Sequence, residues 1–462
     1  MSAASHAVSV PTLADIEQRR SELLKLALQS ADTVFEDDEY FDDAEDFEQQ
    51  PSMPEEPPTL REPALHGLAG EVVRALAPHS EADPAALLLQ FLAAFGNLIG
   101  SNPHALVGST RHALNLFVIL VGETSKARKG TSWRQVAELF AEADPAWARQ
   151  RVTTIRPTPA NILESLRDRE PTRESARESA NDRRLFLLAE EFASVLPLLS
   201  RQSGQLSALL RCAWDGSDLT AHDGHHVVRA IAPHISLVGH ISQFELVQRF
   251  SNDQCHNGFA NRCLWVSARR SQSLPEGGSV PPDQSAALVR ELTRITHWVN
   301  SQPQLIFRRT EEARALWNDC YPALSQSRAD AYGAATSRAE AQVLRLSALY
   351  AALDASPIVE TCHLHAALAV WDYCQASARL FFDGAPLDPT AHRINDAMSK
   401  HPEGLSKTQL RALFHGHITV ERIDRALEEL ASLGLVACQT KAGGRGRPAT
   451  QWAAIKAAQP GN

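Results

Sequence analysis

From about residue 64 the chain alternates short apolar runs with amphipathic stretches. Apolar positions at helical spacing predict helices over 64–76, 83–99, 131–143, 158–168 and 204–215. Between them lie 116–121, 185–189, 235–239 and 264–267. These runs are too short for buried helices and read as buried strands. Such strands alternating with helices predict a parallel α/β sheet. The stretch 169–184 is almost wholly polar and reads as a surface loop, and 285–384 is helical apart from short breaks. Near the start, Thr12 can cap a helix whose apolar positions are Leu13, Ile16, Leu23, Leu24, Ala27 and Leu28.

The pattern changes after 390. Helices fit 391–400, 406–414 and 419–433, with Ser406 and Thr419 at cap positions. They are followed by a strand-like 435–438, a Gly/Arg-rich loop from Lys441, and a closing strand from Thr450. That order is the plan of a winged helix. The chain thus divides into an amphipathic helix (1–30), an acidic linker (31–60), an α/β core (61–284), a helical lid (285–390) and a winged-helix domain (391–462).

Composition narrows the classes. With 44% hydrophobic residues the chain can bury a sizeable core. No apolar run reaches membrane-spanning length, and Met1 to Pro11 lacks a basic region followed by an apolar stretch. Seven scattered cysteines with no C-x-x-C suit a reducing, cytoplasmic setting. Cys362, His363 and His365 sit close together, but one helix face cannot present all three and neighbouring ligands are lacking, so no metal centre is expected there. The net charge of −10 belongs to one segment: residues 31–60 hold twelve Asp/Glu and no Lys/Arg. The end of the chain, 391–462, carries ten basic and six acidic residues. The overall sign therefore does not exclude a nucleic-acid partner. The acidic segment, with Phe35, Tyr40, Phe41 and Phe47 interleaved, reads as a solubilising linker, a mimic of nucleic-acid charge or a docking peptide.

Candidate chemistry starts after the first strand. Gly122-Glu-Thr-Ser-Lys-Ala-Arg-Lys-Gly-Thr-Ser132 joins that strand to a helix. A flexible loop at a helix N-terminus cradles a triphosphate through backbone N–H groups, a lysine and a hydroxyl that holds Mg²⁺. The loop departs from G-x-x-x-x-G-K-[ST]: six residues rather than five separate Gly122 from Lys129, Arg128 stands where glycine is expected, and Thr131 and Ser132 come after Gly130. Gly122, Lys126, Arg128, Lys129, Gly130, Thr131 and Ser132 are the nucleotide-binding candidates. The strand 185–189 ends in Glu190 and Glu191, which fit a Walker B element: Glu190 beside Mg²⁺, Glu191 polarising the attacking water. His240 follows the third strand as a sensor, and Arg262 precedes the fourth as an arginine finger for a neighbouring subunit; a core histidine and a structural ion pair are the alternatives.

Two features point toward DNA. Asp223-Gly224 is a two-residue hairpin signal, and its arms carry His222, His225, His226 and Arg229. In ring helicases a hairpin at this place in the order projects into the central pore; a histidine-rich surface hairpin is the alternative. In the winged helix, Arg422 and Arg425 lie on the third helix, and Lys441, Arg445 and Arg447 on the wing. Such a helix can enter the major groove while a basic wing follows the phosphates. Glu421, Asp424, Glu428 and Glu429 share that helix, with the later acids read as facing away.

Together these pieces resemble a largely uncharacterised family of P-loop ATPases from bacterial genomes, phages and mobile elements, often found beside primase-polymerase domains. The likeness rests on Pro78 to Asp83, the loop 122–132, Glu190 to Ser194, Ala213 to Gly216, His234 to His240 and Asn257 to Arg262, and spans about 61–385. In addition, 337–346 resembles the lid of minichromosome-maintenance helicases, where the position of Arg338 senses the nucleotide. The resemblance implies an α/β P-loop NTPase core with an AAA+/RecA-like parallel sheet. It implies ATP and Mg²⁺ as cofactors, assembly into a homo-oligomeric ring, DNA as partner, and a primase or other replication protein on a separate chain. The expected activity is an ATP-dependent, helicase-like DNA motor. An ATP-regulated DNA-binding regulator, and a nucleotide-free adaptor with a degenerate loop, are the alternatives.

Overall fold

The computed structural model describes residues 58–455 apart from 124–126, 155–156, 167–181, 201–204, 224–225, 251–253, 256, 329, 384–388, 415–417 and 442–448. The expected first helix, the acidic segment to residue 57, Lys126, His225, Arg445 and Arg447 lie outside the described residues.

After helices Gly67–Leu76 and Pro84–Leu98 the chain forms an antiparallel hairpin, β1 (His104–Val107) and β2 (Thr110–Ala113), before β3 (Phe117–Gly122) enters the interior. β4 (Val152–Thr153), β5 (Arg184–Ala189), β8 (His234–Ser242) and β9 (Cys263–Ala268) join β3 in a five-stranded sheet of order β4-β5-β8-β3-β9, every pairing parallel. β6 (Leu219–Asp223) and β7 (His226–Ala230) form a separate hairpin between β5 and β8. All six residues of β3 are buried, as a central parallel strand covered on both faces requires.

Alternate side chains of β3 serve two cores. Leu116, Val118 and Leu120 pack with helices Pro84–Leu98 and Lys129–Ala143. Phe117, Ile119 and Val121 pack with Ile162, Leu210 and Leu246 on the opposite face. The helix after β3 therefore covers one face, and the helix after β8, Gln243–Arg249, supplies Leu246 to the other. The connections leave adjacent strands in opposite directions. That makes the crevice at the C-terminal ends of β3 and β8 a topological switch point, where α/β sheets bind ligands.

The region expected as a lid is not a separate layer. Helices Pro282–Ser301, Ala339–Leu353 and Thr361–Phe382 supply Leu292, Ile295, Val343, Leu346, Val370 and Trp371 to the same core as Leu87 and Phe91. Two short strands interrupt the helices, β10 (Ile306–Arg309) and β11 (Ile358–Val359). They extend the β1–β2 hairpin into a sheet of order β11-β10-β1-β2. Four-residue and two-residue strands carry too little alternation to be seen in the sequence.

Helices Pro389–Lys400, Lys407–Ala412 and Val420–Ser432 and the antiparallel pair β12 (Val436–Lys441) and β13 (Ala449–Ala454) surround their own core of Ile394, Met398, Leu410, Ile423 and Leu430. Ser406 and Thr419 cap as expected, accepting from the N–H groups of Gln409 and Arg422. Among the described residues no helix is long and apolar enough to cross a membrane.

Candidate functional site

The candidate site is the crevice at the switch point. β3 ends at Gly122, and the following helix starts at Lys129. A Cβ on Gly122 would stand 2.5 Å from the Ala127 side chain and 2.9 Å from Lys129 Nζ, so only glycine lets the lysine fold back over the strand end. The Lys129 amino group is largely buried. Burial lowers its pKa, and the carboxylates of Glu245 and Glu191 oppose that shift. β5, one strand beyond β8, ends beside the same crevice and is followed by the exposed Glu190 and Glu191. A Cβ on Gly130 would lie 3.9 Å from Glu190 Oε1, so a carboxylate stands over the first helical turn. A cationic lysine, a helix N-terminus and carboxylates from a neighbouring strand thus converge on one solvent-reached point.

Arg128 explains its own presence. Its backbone is left-handed, φ 56° and ψ 28°, the conformation that favours glycine. Its side chain swings away from the crevice, and Nε donates to Glu81 Oε2 at 2.6 Å. Glu81 also accepts from the backbone N–H of Leu274 at 2.7 Å and pairs with Arg270. These contacts, the Leu274 N–H foremost, hold its carboxyl down at about 2. Asp83 caps helix Pro84–Leu98 through Oδ1 and accepts from the Arg269 N–H, just past β9, through Oδ2. Glu81 and Asp83, in the stretch 78–83, therefore anchor both the loop and the exit of β9. Arg128→Gly and Arg128→Val both lose the Glu81 contact, so their difference isolates the backbone conformation. We expect Arg128→Gly to stay within about 1 kcal/mol of wild type, and Arg128→Val to fall at least about 1–2 kcal/mol further in urea unfolding.

Two expected residues lie one layer deeper. Ser132 is fully buried; its hydroxyl donates to the Lys129 carbonyl and accepts from Gln90 Nε2, both at 2.6 Å. It is committed to the core, whereas Thr131 is half-exposed on the first turn. His240 is not at a strand tip, because β8 continues to Ser242. It sits opposite Leu120, two residues short of Gly122, and its Nε2 meets Gln90 Oε1 at 3.1 Å. Since that oxygen only accepts, Nε2 carries the proton. Burial first, then Lys129, lowers the His240 pKa to about 3, so the ring is neutral at physiological pH. Gln90 thereby links His240 to Ser132 beneath the loop.

His234, also buried, is lowered to about 4. A histidine with a depressed folded-state pKa contributes stability above its unfolded value near 6.5, and loses it as pH falls toward the folded value. With His112, also lowered to about 4, three such rings make unfolding easier by about 5 kcal/mol between pH 7 and 5, each approaching 1.4 kcal/mol per pH unit below 6.5. His66 has a raised pKa and runs the other way, but its gain is complete below 6.5. His240→Gln keeps a donor for Gln90 and should lower the slope of unfolding free energy against pH over that range by about a third.

The other expected residues lie elsewhere. Arg262 precedes β9 at the N-terminal edge of the sheet, where Nη2 donates to Asp215 Oδ2 at 2.6 Å. Arg338 flanks helix Ala339–Leu353 near the same carboxylate, at 3.5 Å. The hairpin closes on the pair Asp223↔His226, one residue later than an Asp223-Gly224 turn would place it. The side chains of His222, His226 and Lys441 are not described. Arg229 is tied to Asp218 at 2.7 Å. On helix Val420–Ser432, Arg422 Nε donates to Thr390 Oγ1 at 3.1 Å. Exposed Arg425 lies between exposed Glu421 and Glu428 at four- and three-residue spacing. Those acids share the arginine's face instead of turning away.

Near Cys362 the fold supplies ligands that sequence spacing cannot reveal. His66, Cys362 and His363 bring their ligand atoms within 4.8 Å, and Asp354 accepts from both imidazoles at 2.8 and 2.9 Å, while His365 is exposed. However, His363 Nδ1 accepts the Glu360 N–H, so the Nε2 lone pair a metal needs is occupied by a proton. The cluster is a hydrogen-bonded clasp.

Sequence reading overlooked Glu81, Gln90 and Glu245. Only Glu245 carried a local signal, a capping box with Ser242. No protein-family model and no curated protein matches the chain.

Proposed function

We propose that the protein is a P-loop ATPase that handles DNA, a helicase-like motor of replication or of a mobile element. The observation that carries this reading is the convergence at the switch point: Lys129 over Gly122, with Glu190 standing over the first turn of the following helix. An anion at a helix N-terminus beside a half-buried lysine is a phosphate site. The carboxylate at the end of a neighbouring strand distinguishes it from a plain anion site, because phosphoryl transfer to water needs a group that orients the nucleophile.

In this reading the backbone N–H groups of the first helical turn and Lys129 bind the β- and γ-phosphates. Thr131 and Glu190 fit a hydrated Mg²⁺, which when bound neutralises phosphate charge. Glu191 holds and polarises the attacking water. Arg128 contributes its backbone rather than its charge. The hairpin and the three-helix C-terminal domain, read as a winged helix, are the DNA contacts, and assembly into a ring belongs to the same proposal. ATP turnover measured with and without single- and double-stranded DNA tests it. Turnover stimulated by DNA and lost in Glu191→Gln supports a motor. Tight binding to one sequence without stimulated turnover marks a regulator, and no ATP binding at all marks an adaptor.

A further inference from the structure

Eight large apolar side chains are exposed among the described residues, and three of them, Leu106, Val107 and Ile358, lie on the small sheet β11-β10-β1-β2. Single exposed apolar residues are ordinary; a group of them on one small element marks a contact surface. The pleat sends one face of this sheet inward, where Ala105, Phe307 and Val359 are buried. Their chain neighbours Leu106, Arg308 and Ile358 therefore point outward, and all three are exposed.

The registers set these residues in one row. Arg308 stands opposite Ile358, and Leu106 opposite Arg111. The parallel pairing of His104 with Ile306 and of Ala105 with Phe307 carries on to place Leu106 beside Arg308. Across the four strands the row thus reads Ile358, Arg308, Leu106, Arg111, with aliphatic side chains and guanidiniums alternating. Strands stand roughly 5 Å apart, so the two aliphatic side chains are roughly 10 Å apart, as are the two arginines. Arg111 donates to the carbonyls of Ser101 and Asn102, and neither arginine pairs with a carboxylate among the described residues. The outer edge of β11 is closed. The Ile358 N–H donates to Ser356 Oγ, and that hydroxyl donates to the Ile358 carbonyl, both at 3.0 Å. A partner on this side must lie on the face rather than add a strand.

We infer that this face docks an acidic segment of a partner protein, an amphipathic helix whose apolar side chains recur at every seventh position with carboxylates between them. On a helix, positions i and i+7 lie on one face roughly 10 Å apart, which matches Leu106 and Ile358. Positions i+3 and i+4 fall between them, over Arg308. The aliphatic pair supplies affinity, and the arginines set register and choice of partner. Nucleic acid fits the row less well: phosphates would engage the arginines, but aliphatic side chains offer bases no ring to stack on. A bilayer also fits less well, because Leu106 and Ile358 share the sheet face with the arginines and cannot enter it without drawing guanidiniums in after them. The inference does not rest on the proposed ATP site.

The test uses the full chain and a fluorescein-labelled synthetic helix, followed by anisotropy at low salt. The helix carries leucine at every seventh position, glutamate three and four residues after each leucine, and alanine elsewhere. Saturable binding is expected. Leu106→Thr and Ile358→Thr, polar but still suited to a strand, should each weaken it at least about tenfold. Arg308→Glu should weaken it to a similar extent and instead bind the same helix with lysine in place of glutamate, a gain that a misfolded variant would not show. All three side chains are exposed, and unchanged melting of each variant checks the fold. No binding of the glutamate helix, or binding that survives both Leu106→Thr and Arg308→Glu, overturns the inference. So does a labelled single-stranded oligonucleotide, or a phosphatidylserine vesicle, that binds the wild type more tightly than the helix does and loses that binding in Leu106→Thr. A dimer of the free chain that Leu106→Thr dissociates assigns the face to a second copy and also overturns it. ATP turnover enters none of these readings, so the docking face and the proposed ATPase stand or fall separately.

Discussion

Lys129→Ala should lower ATP turnover at least about a hundredfold, the scale on which one preorganised charge or donor acts on a transition state. The side chain is already placed for this role. It folds back against Gly122 and is largely withdrawn from water, which strengthens its interaction with any anion in the crevice. It also lies in the field of Glu191 and Glu245, so removing it leaves two carboxylates facing incoming phosphates without a counter-charge. Binding should therefore weaken together with turnover. Glu191→Gln behaves differently in this reading: it removes a negative charge near the phosphates and abolishes the water's partner, so ATP stays bound while hydrolysis stops. Equilibrium binding of a fluorescent ATP analogue beside a phosphate-release assay resolves the two. If both variants turn over ATP at the wild-type rate, the loop is not catalytic.

The parts of this arrangement that the sequence made legible are the ones with strong local signals. Four of the five strands of the parallel sheet are continuous apolar runs because both faces are covered, and they stand out from the amphipathic helices between them. The loop, the paired carboxylates and the caps at Ser406 and Thr419 are local too. What stayed hidden depends on residues far apart in the chain. Arg128 looked like a defect because a regular pattern asks for glycine. The fold tolerates it because Glu81, 47 residues earlier, draws its side chain aside. His240 looked like a strand tip because the apolar run breaks there, whereas β8 goes on for two more residues and Gln90, 150 positions away, receives the ring. The lid boundary near 285 failed for a similar reason. Helical periodicity reports that a face is buried, not which core buries it, and helix Ala339–Leu353 carries nearly continuous burial because it fills the same interior as Phe91.

Arg345 shows how much a single long-range contact can carry. It lies within helix Ala339–Leu353 and is 1% exposed. Nη1 donates to both the carbonyl and Oδ1 of Asn115 at 2.8 Å, and Nη2 donates to the Trp214 carbonyl at 2.8 Å. Its plane lies on the Trp214 ring. Asn115 is itself committed through Nδ2 to the Ile235 carbonyl at 2.9 Å, so one side chain ties the entries of β3 and β8 to the end of helix Gln205–Trp214. Burial lowers the Arg345 pKa to about 9, which still leaves it charged at pH 7. Arg345→Ala would strand three acceptors and open a cavity under an indole. Removing one partner from a buried charged network costs about 3–5 kcal/mol, of which unmet acceptors account for much. Arg345→Met fills most of the volume without supplying a donor, and should recover only the packing share, on the order of 1–2 kcal/mol. Arg345→Lys keeps the charge but, lacking the fork, cannot reach Asn115 and Trp214 together, and should fall between wild type and alanine. Urea unfolding at pH 7, read by tryptophan fluorescence, gives the order. A methionine variant as stable as wild type would mean that the guanidinium's hydrogen bonds contribute nothing net.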